Sequence, residues 1–294
     1  MKKFFALILL FMTTFSFAKN GISDFTEDCV YEFLSKRIEF KSMEDNEAIT
    51  KISSLRDEIL SQIELHAVDL DQEKLILEAM YFMEIYQHSI NQVEILAAKD
   101  KKASVVKRAA LRDQMKSYMK RMEKCIEDRK NRPISEWLYM FTGDVTAFYM
   151  TRSVAATLLR GFSVRDYYKS AIKVNPEMTP AIVSLGNWCF YAPSVFGGGK
   201  KKASSYFDTA IKTANLPGEK YVAYLSYAQL AFENKKTEIT DEYMQKIIDL
   251  NLGRKEIDVI LRCNKKGYSY FQYMRNRVGI DEELSEEEKT EEDK

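Results

Sequence analysis

Apolar residues in the first half of the chain recur at steps of three and four residues. This spacing is typical of one face of an α-helix, whereas a strand would alternate every second residue. Polar turns near 42–46, 69–71 and 99–102 interrupt the pattern, which predicts about four helices of roughly twenty residues between Asp24 and Lys130. The spacing is clearest at Ile49, Ile52, Leu55, Ile59 and Ile63.

The pattern changes after Pro133, which is the first of the five prolines of the chain. These prolines and the triplet Gly197–Gly199 divide the second half into shorter helical segments. Long helices and the absence of strand alternation predict an all-α protein, either a helical bundle or a solenoid. We assign 19–132 to a long-helix region and 133–280 to a region of helix pairs.

Two landmarks repeat within the second region. Ala171 and Pro176 close one helix pair, and Ala210 and Pro217 close the next, at offsets of 39 and 41 residues. Offsets of this size indicate helix-pair repeats. Stacked pairs share a continuous core and leave a concave surface, so we expect function to lie on that surface.

The start of the chain has the composition of a secretory signal peptide. Residues 1–18 combine two lysines, an apolar run from Phe4 to Phe17 and a small residue at Ala18, where we expect cleavage. The apolar run is shorter than the roughly 20 residues that span a bilayer. Because the first cysteine is Cys29, none stands where lipid would be attached. We therefore expect a periplasmic or secreted protein.

The end of the chain is acidic. Residues 281–294 hold nine acids against two lysines and no aromatic residue, so we expect a disordered, solvated tail. The signal peptide contributes +2 to a net charge of zero, which leaves +5 for 19–280. Such a modest charge lacks the dense basic stripe of a nucleic-acid-binding protein, and we expect no nucleic-acid partner.

The four cysteines lie far apart and show no metal-ligand spacing. An oxidising compartment allows disulfides among them, with three possible full pairings, and the sequence does not select one. The alternative is that they are buried as free thiols, since free cysteine is among the most buried residue types. They are Cys29, Cys125, Cys189 and Cys263.

One segment resembles a tetratricopeptide repeat. In that interpretation Leu185 and Gly186 allow the two helices of a pair to approach closely, and Ala203 is small where they cross. Phe207 and Ala210 fill the space beneath the following pair. The segment departs from the family at Cys189, where an aromatic residue is usual, and in a longer loop between the helices. The motif is Ile182-x-x-Leu185-Gly186-x-x-Cys189, then Ala203-x-x-x-Phe207-x-x-Ala210, then Pro217.

A narrower resemblance covers about 176–275. The segment is similar to the T component associated with tripartite ATP-independent periplasmic transporters. That resemblance implies a helical-repeat protein that partners a periplasmic solute-binding protein, an apolar cavity for a hydrophobic small molecule, and assembly into a trimer. The missing lipid-attachment cysteine departs from the lipoprotein members. The residues that carry the resemblance are Tyr191-Ala192-Pro193, Gly197-Gly198-Gly199, Lys202-Ala203, Tyr206-Phe207 and the stretch from Tyr224 to Phe232.

The first helix of a tetratricopeptide pair lines the concave face, which predicts a binding face on two successive pairs. Aromatic and apolar side chains beside a few amides suit a ligand pocket. The alternative is that the aromatic members are ordinary core. The predicted residues are Val183, Asn187, Phe190, Tyr191, Leu225, Gln229 and Phe232.

No motif in the chain indicates catalysis. His66 and His88 stand in no metal-binding frame, and no Gly-x-Ser-x-Gly elbow is present. Gly197–Gly199 with the lysines that follow could hold an anion, but the spacing is not that of a P-loop. We therefore predict no catalytic residue, no metal and no cofactor.

The favoured hypothesis is a periplasmic binding and accessory protein that assists solute transport. A structural scaffold of the cell envelope with only protein partners is the alternative. An enzyme built on a helical solenoid, such as a muramidase, is the weakest of the three.

Overall fold

The computed structural model describes residues 21–129, 131–150 and 153–292. These residues form thirteen α-helices and no strand, which confirms the all-α prediction. The predicted signal peptide, 1–18, lies outside them. None of the described helices is long and apolar enough to cross a lipid bilayer. The first four helices are α1 (Asp24–Phe40), α2 (Asp45–His66), α3 (Leu70–Lys99) and α4 (Lys101–Glu127). The others are α5 (Glu136–Met150), α6 (Val154–Val174), α7 (Thr179–Tyr191), α8 (Lys200–Thr213), α9 (Pro217–Glu233), α10 (Thr237–Asp249), α11 (Arg254–Lys265), α12 (Tyr270–Arg275) and α13 (Arg277–Glu292), with a 3₁₀ helix at Ser194–Phe196.

The polar turns predicted from the sequence are helix caps. The side chain of Glu44 accepts a hydrogen bond from the backbone N–H of Asn46 at 2.9 Å, where α2 begins. Asp100 accepts from the N–H of Ala103 at 2.9 Å and is the only residue between α3 and α4. Acceptors at these positions satisfy N–H groups that have no partner within the helix, so the breaks fall where they were predicted.

Gly186 of α7 lies directly against the ring of Phe207 in α8. A Cβ atom at Gly186 would come within 2.4 Å of Cε1 of Phe207, so only glycine lets the two helices approach this closely. Ala203, Phe207 and Ala210 are all fully buried along α8. Leu185 packs against the preceding helix pair. These five residues are the ones to which the sequence assigned repeat-packing roles.

The same contact occurs one pair earlier. A Cβ atom at Gly143 of α5 would come within 2.6 Å of Cε1 of Tyr168 in α6. In the third pair, Ala228 of α9 and Met244 of α10 are buried in one apolar cluster. The pairs α5–α6, α7–α8 and α9–α10 therefore pack as successive helix-pair repeats.

One helix of each pair lines the inside of the stack. Helix α3 contacts α5, and α7 contacts α9. Ser184 of α7 lies 3.5 Å from Asp144 of α5, so these two helices are neighbours as well. The inner layer thus consists of α3, α5, α7 and α9, with α4, α6, α8 and α10 outside it.

Helix α1 crosses the inner layer and joins its two ends. Phe33 packs edge-on against Tyr81 of α3, with 4.7 Å between the ring centroids. Ile38 belongs to the apolar cluster of Leu225 in α9. Whether residues 24–130 pack on the repeats or form a separate lobe was open from the sequence. The described part of this region packs on the repeats.

The acidic end of the chain differs from expectation. Disorder was predicted from residue 281, whereas α13 begins at Arg277 and ends at Glu292. Ile280 and Leu284 lie one turn apart and are both buried against Cys263. Two apolar residues at this spacing suffice to dock a helix on an existing core, and the acidic composition concealed them.

Candidate binding site

Two of the predicted face residues are buried between helices. Val183 is 6% exposed and packs with Ala210 and Ala223, where α7, α8 and α9 meet. Leu225 is 4% exposed and packs against Ile38 of α1. Both side chains stabilise the stack and have no surface left for a ligand.

Gln229 of α9 is buried in a polar contact with the C-terminal helices. Its side-chain amide exchanges two hydrogen bonds with the amide of Asn264, at 3.0 and 3.1 Å. Its Oε1 also accepts from the backbone N–H of Tyr270 at 2.7 Å. The hydrogen-bonding groups of the Gln229 side chain are thus used to hold the start of α12 in place.

Phe190 and Tyr191 contact α12 instead of an open surface. The ring of Phe190 stacks on Phe271, with 4.2 Å between centroids. Tyr191 packs edge-on against both rings, and its hydroxyl donates to the carbonyl of Phe271 at 3.4 Å. Tyr191 nevertheless remains 48% exposed. Phe232, near the end of α9, is half-buried.

The inner face of the repeats is therefore covered by the chain itself. Helix α1 lies across one part of it, and α12 lies across another. A concave face covered in this way cannot accept a second folded protein at Gln229 or Phe190. Several polar side chains lie where the inner layer meets these two helices.

Arg37 of α1 lies at the contact between α1 and α3. Its Nε donates to Oε2 of Glu84 in α3 at 2.6 Å, which orients the guanidinium. Its two terminal nitrogens donate to no side chain or carbonyl among the described residues. The Arg37 side chain is 27% exposed, whereas that of Glu84 is 1% exposed. One edge of the guanidinium is therefore fixed, and the other is free.

Asp144 of α5 lies within the electrostatic reach of Arg37. Its Oδ1 accepts from the hydroxyl of Tyr168 at 2.7 Å and from Ser184 at 3.5 Å. Burial raises the pKa of Asp144 above its ordinary value, although the Tyr168 hydrogen bond and the Arg37 charge act in the opposite direction. The Asp144 side chain is half-buried.

A second polar group faces Arg37 from the C-terminal helices. The hydroxyl of Tyr270 donates to Glu256 at 2.8 Å, and that of Tyr221 donates to the same carboxylate at 2.8 Å. Lys41 of α1 lies 3.4 Å from Glu256. Burial raises the pKa of Tyr270, while the charge of Arg37 acts to lower it.

These contacts connect residues of α1, α5, α7 and α12. The charge of Arg37 acts on Asp144 and on Tyr270. Asp144 accepts from Ser184 of α7, and Tyr191 of α7 donates to the carbonyl of Phe271, next to Tyr270. Ser184, Asn187 and Tyr191 follow the helical spacing of three and four, so they share one face of α7. Oδ1 of Asn187 is buried and has no hydrogen-bond partner in the described residues. We call the following set the central site: Arg37, Asp144, Ser184, Asn187, Tyr191 and Tyr270.

The central site combines a few polar groups with aromatic walls, as small-molecule sites do. The free edge of the Arg37 guanidinium matches a planar group with two acceptor oxygens. Asn187 offers an unused amide oxygen, and Asp144 offers a carboxyl whose neutral form is favoured by burial. These groups have the chemistry needed to bind and orient a small ligand.

Sequence reasoning identified Asn187 and Tyr191 but missed Arg37 and Asp144. Asp144 is the only charged residue between Trp137 and Met150. An isolated acid in an apolar helix is a sequence signal for a functional position. Arg37 carries no such signal, because Lys36 and Glu39 lie beside it on α1.

The glycine triplet has no free backbone for an anion. The N–H of Gly198 donates to the carbonyl of Pro193 at 3.2 Å, and that of Gly199 donates to Cys189 at 2.7 Å. Lys200 pairs with Glu233, and Lys202 donates to the carbonyl of Gly197 at 2.9 Å. The weak anion-site hypothesis from the sequence gains no support from these contacts.

The four cysteines are free and buried. Burial raises the pKa of Cys29 to about 11 and that of Cys263 to about 11. Of the two histidines, His88 lies 2.7 Å from Asp45, and His66 stacks on Phe25. The described residues contain no group of three or more His, Cys, Asp or Glu side chains that could hold a metal ion.

Neither the protein-family models nor the curated proteins contain a match to this chain.

Proposed function

We propose that this protein is an exported helical-repeat binding protein that holds a small molecule in its central site and serves as an accessory in solute transport. The mechanism is recognition, and no residue acts as a catalyst. The ligand has an apolar part, packed against Tyr191 and Tyr270, and a polar end with two acceptor oxygens for Arg37. A carboxylate is the simplest group of this kind.

The free guanidinium edge of Arg37 is the observation that carries the proposal. The Arg37 side chain is 27% exposed, so water reaches its terminal nitrogens, and a ligand that displaces this water must supply acceptors in its place. Glu84 accepts from Nε, and neither terminal nitrogen donates to a described residue. Asn187 adds a second unused group, its buried Oδ1.

A protein partner follows from the transporter resemblance, with a periplasmic solute-binding protein as the candidate and a trimer as the assembly. Because α1 and α12 cover Gln229 and Phe190, a folded partner would contact the outer surface. The partner and the small molecule would then bind at different places on the molecule.

Native mass spectrometry of protein purified without detergent tests the proposal. We expect a bound small molecule whose occupancy falls at least tenfold in Asn187→Ala, which removes an oxygen that no described residue uses, and in Arg37→Lys, which keeps the charge beside Glu84. Asn215→Ala and Arg254→Lys, both at exposed positions, are the matched controls. Protein that carries no small molecule, or equal occupancy in all four variants, would contradict the central site.

A scaffold function remains the second candidate, and one groove favours it. The hairpin of α3 and α4 carries a surface groove of about 490 Å³, whose lining includes Val93, Leu96 and Leu111. Ile95, which also lines the groove, is 53% exposed. If Ile95→Asp abolished an envelope interaction while protein without ligand remained active in transport, the scaffold would replace the binding protein.

A further inference from the structure

Five large apolar side chains are exposed together on the outer side of the molecule. They come from the first half of α6 and from the 3₁₀ helix between α7 and α8. The rings of Phe162 and Phe196 meet edge-on, with 6.0 Å between their centroids, so the two segments form one surface. We call this surface the apolar patch: Leu158 (70% exposed), Leu159 (81%), Phe162 (46%), Val195 (84%) and Phe196 (48%).

The loop that carries Val195 and Phe196 is held in a fixed shape. Backbone N–H groups of Gly197, Gly198 and Gly199 all donate to carbonyls of the preceding segment, at 2.9, 3.2 and 2.7 Å. A Cβ atom at Gly198 would come within 2.0 Å of the carbonyl oxygen of Ala192, so the chain passes too closely there for any other residue. Val195 and Phe196 are thus fixed in an outward position, which lowers the entropic cost of docking them.

Basic residues surround the apolar patch. Lys200, Lys201 and Lys202 follow it directly in the chain, and all three are exposed. Arg160 and Arg165 lie on the same helix as Phe162, and the Arg165 guanidinium packs over the Phe162 ring at 5.1 Å. The acids that face these cations are Glu123 with Arg160, Asp166 with Arg165, and Glu233 with Lys200. The cations outnumber these acids by two.

We infer that the apolar patch is a membrane-interface surface that docks on bilayers containing anionic phospholipid. Exposed aliphatic and aromatic side chains enter the boundary between headgroups and acyl chains, and surrounding lysines attract anionic headgroups. The side chains project outward from α6 and from the loop between α7 and α8, and they do not line a groove. This shape suits a flat, deformable surface better than a protein ligand. The inference is independent of the small molecule in the central site.

Vesicle co-sedimentation of the purified protein tests this inference. Vesicles of phosphatidylcholine alone are compared with vesicles that also contain phosphatidylglycerol, each at low and high salt. We expect binding to the anionic vesicles only, weakened by salt, and reduced about tenfold in the double variant Val195→Ser/Phe196→Ser. The separate variant Lys201→Glu should also bind anionic vesicles more weakly than the unchanged protein, and its binding should depend less on salt.

Leu65→Ser is the matched control, because Leu65 is 82% exposed at the end of α2, outside the apolar patch. Its vesicle binding should equal that of the unchanged protein, and thermal melting should show that all variants fold. Absence of binding to anionic vesicles would overturn the inference. So would an equal loss in Leu65→Ser and Val195→Ser/Phe196→Ser, or a patch variant that keeps vesicle binding but loses a protein partner.

Discussion

The guanidinium of Arg37 in α1 donates through Nε to Oε2 of Glu84 in α3, at 2.6 Å, and Glu84 has no other described hydrogen bond. The Glu84 side chain is 1% exposed, so its charge depends on this one contact. The pair joins the first helix of the described chain to the inner layer of the stack.

Replacing only one member of this pair should therefore be costly. Arg37→Met leaves a buried carboxylate without its cation, and we expect the free energy of unfolding to fall by about 3–5 kcal/mol. The double variant Arg37→Met/Glu84→Met should recover most of that loss, since no charge remains buried. Urea unfolding measures both. If the double variant were less stable than Arg37→Met, the pair would not be the source of the effect.

Two glycines in neighbouring helices should respond to alanine with opposite signs. Gly186→Ala places a Cβ atom against the Phe207 ring, and we expect the free energy of unfolding to fall by about 1–3 kcal/mol. Gly161→Ala, within α6, meets no atom within 4 Å and should gain about 0.5–1 kcal/mol from its better helix propensity. Thermal or urea unfolding measures both changes in stability.

Adding Phe207→Leu to Gly186→Ala tests the steric explanation. The smaller side chain should restore part of the lost stability, because it removes the ring that the new Cβ atom meets. If the double variant instead showed the full sum of both losses, helix propensity would explain Gly186 better than close packing.

Asp144→Asn should change stability in a pH-dependent way. The pKa of Asp144 is raised in the folded protein, so its charged form is disfavoured there relative to the unfolded chain. The cost is absent below the unfolded pKa of about 3.9 and develops as the pH rises through the folded pKa. The variant should therefore gain stability relative to the unchanged protein between acidic and neutral pH. Unfolding at a series of pH values measures this, and a constant difference would refute it.

The cysteines should be unreactive in the native protein. All four thiols are buried, and burial raises the pKa of Cys29 and Cys263 to about 11, so little thiolate forms near neutral pH. Titration with a thiol reagent should detect almost no reaction before unfolding and all four thiols in denaturant. Rapid labelling of native protein, or fewer than four thiols after unfolding, would contradict the structure.

Local features of the fold could be predicted from the sequence. Helix breaks depend on nearby caps, so the turns at Glu44 and Asp100 were visible as polar interruptions of an apolar pattern. Gly186 and Phe207 were also visible, because a small residue and an aromatic ring recur at the spacing of a helix pair. Gly143 carries the same signal opposite Tyr168 and was overlooked.

The central site could not be predicted in the same way. Arg37, Asp144 and Tyr270 come from three distant parts of the chain, and no local pattern indicates that they meet. The concave face was expected to be open, because repeat patterns describe neighbouring pairs and say nothing of a distant helix that packs on them. The apolar residues of α1 on opposite sides, Phe33 and Ile38, were the available hint.

An open stack of helix pairs is flexible, because small rotations between neighbouring pairs add up to large changes in curvature. Here α1 packs against both α3 and α9, and α13 returns to α3, so bending the stack would break contacts at both ends at once. These contacts fix the curvature of the stack, and with it the distances between the residues of the central site. We therefore expect a ligand to bind beside the Phe190–Phe271 stack at the edge of α12 without a change in curvature.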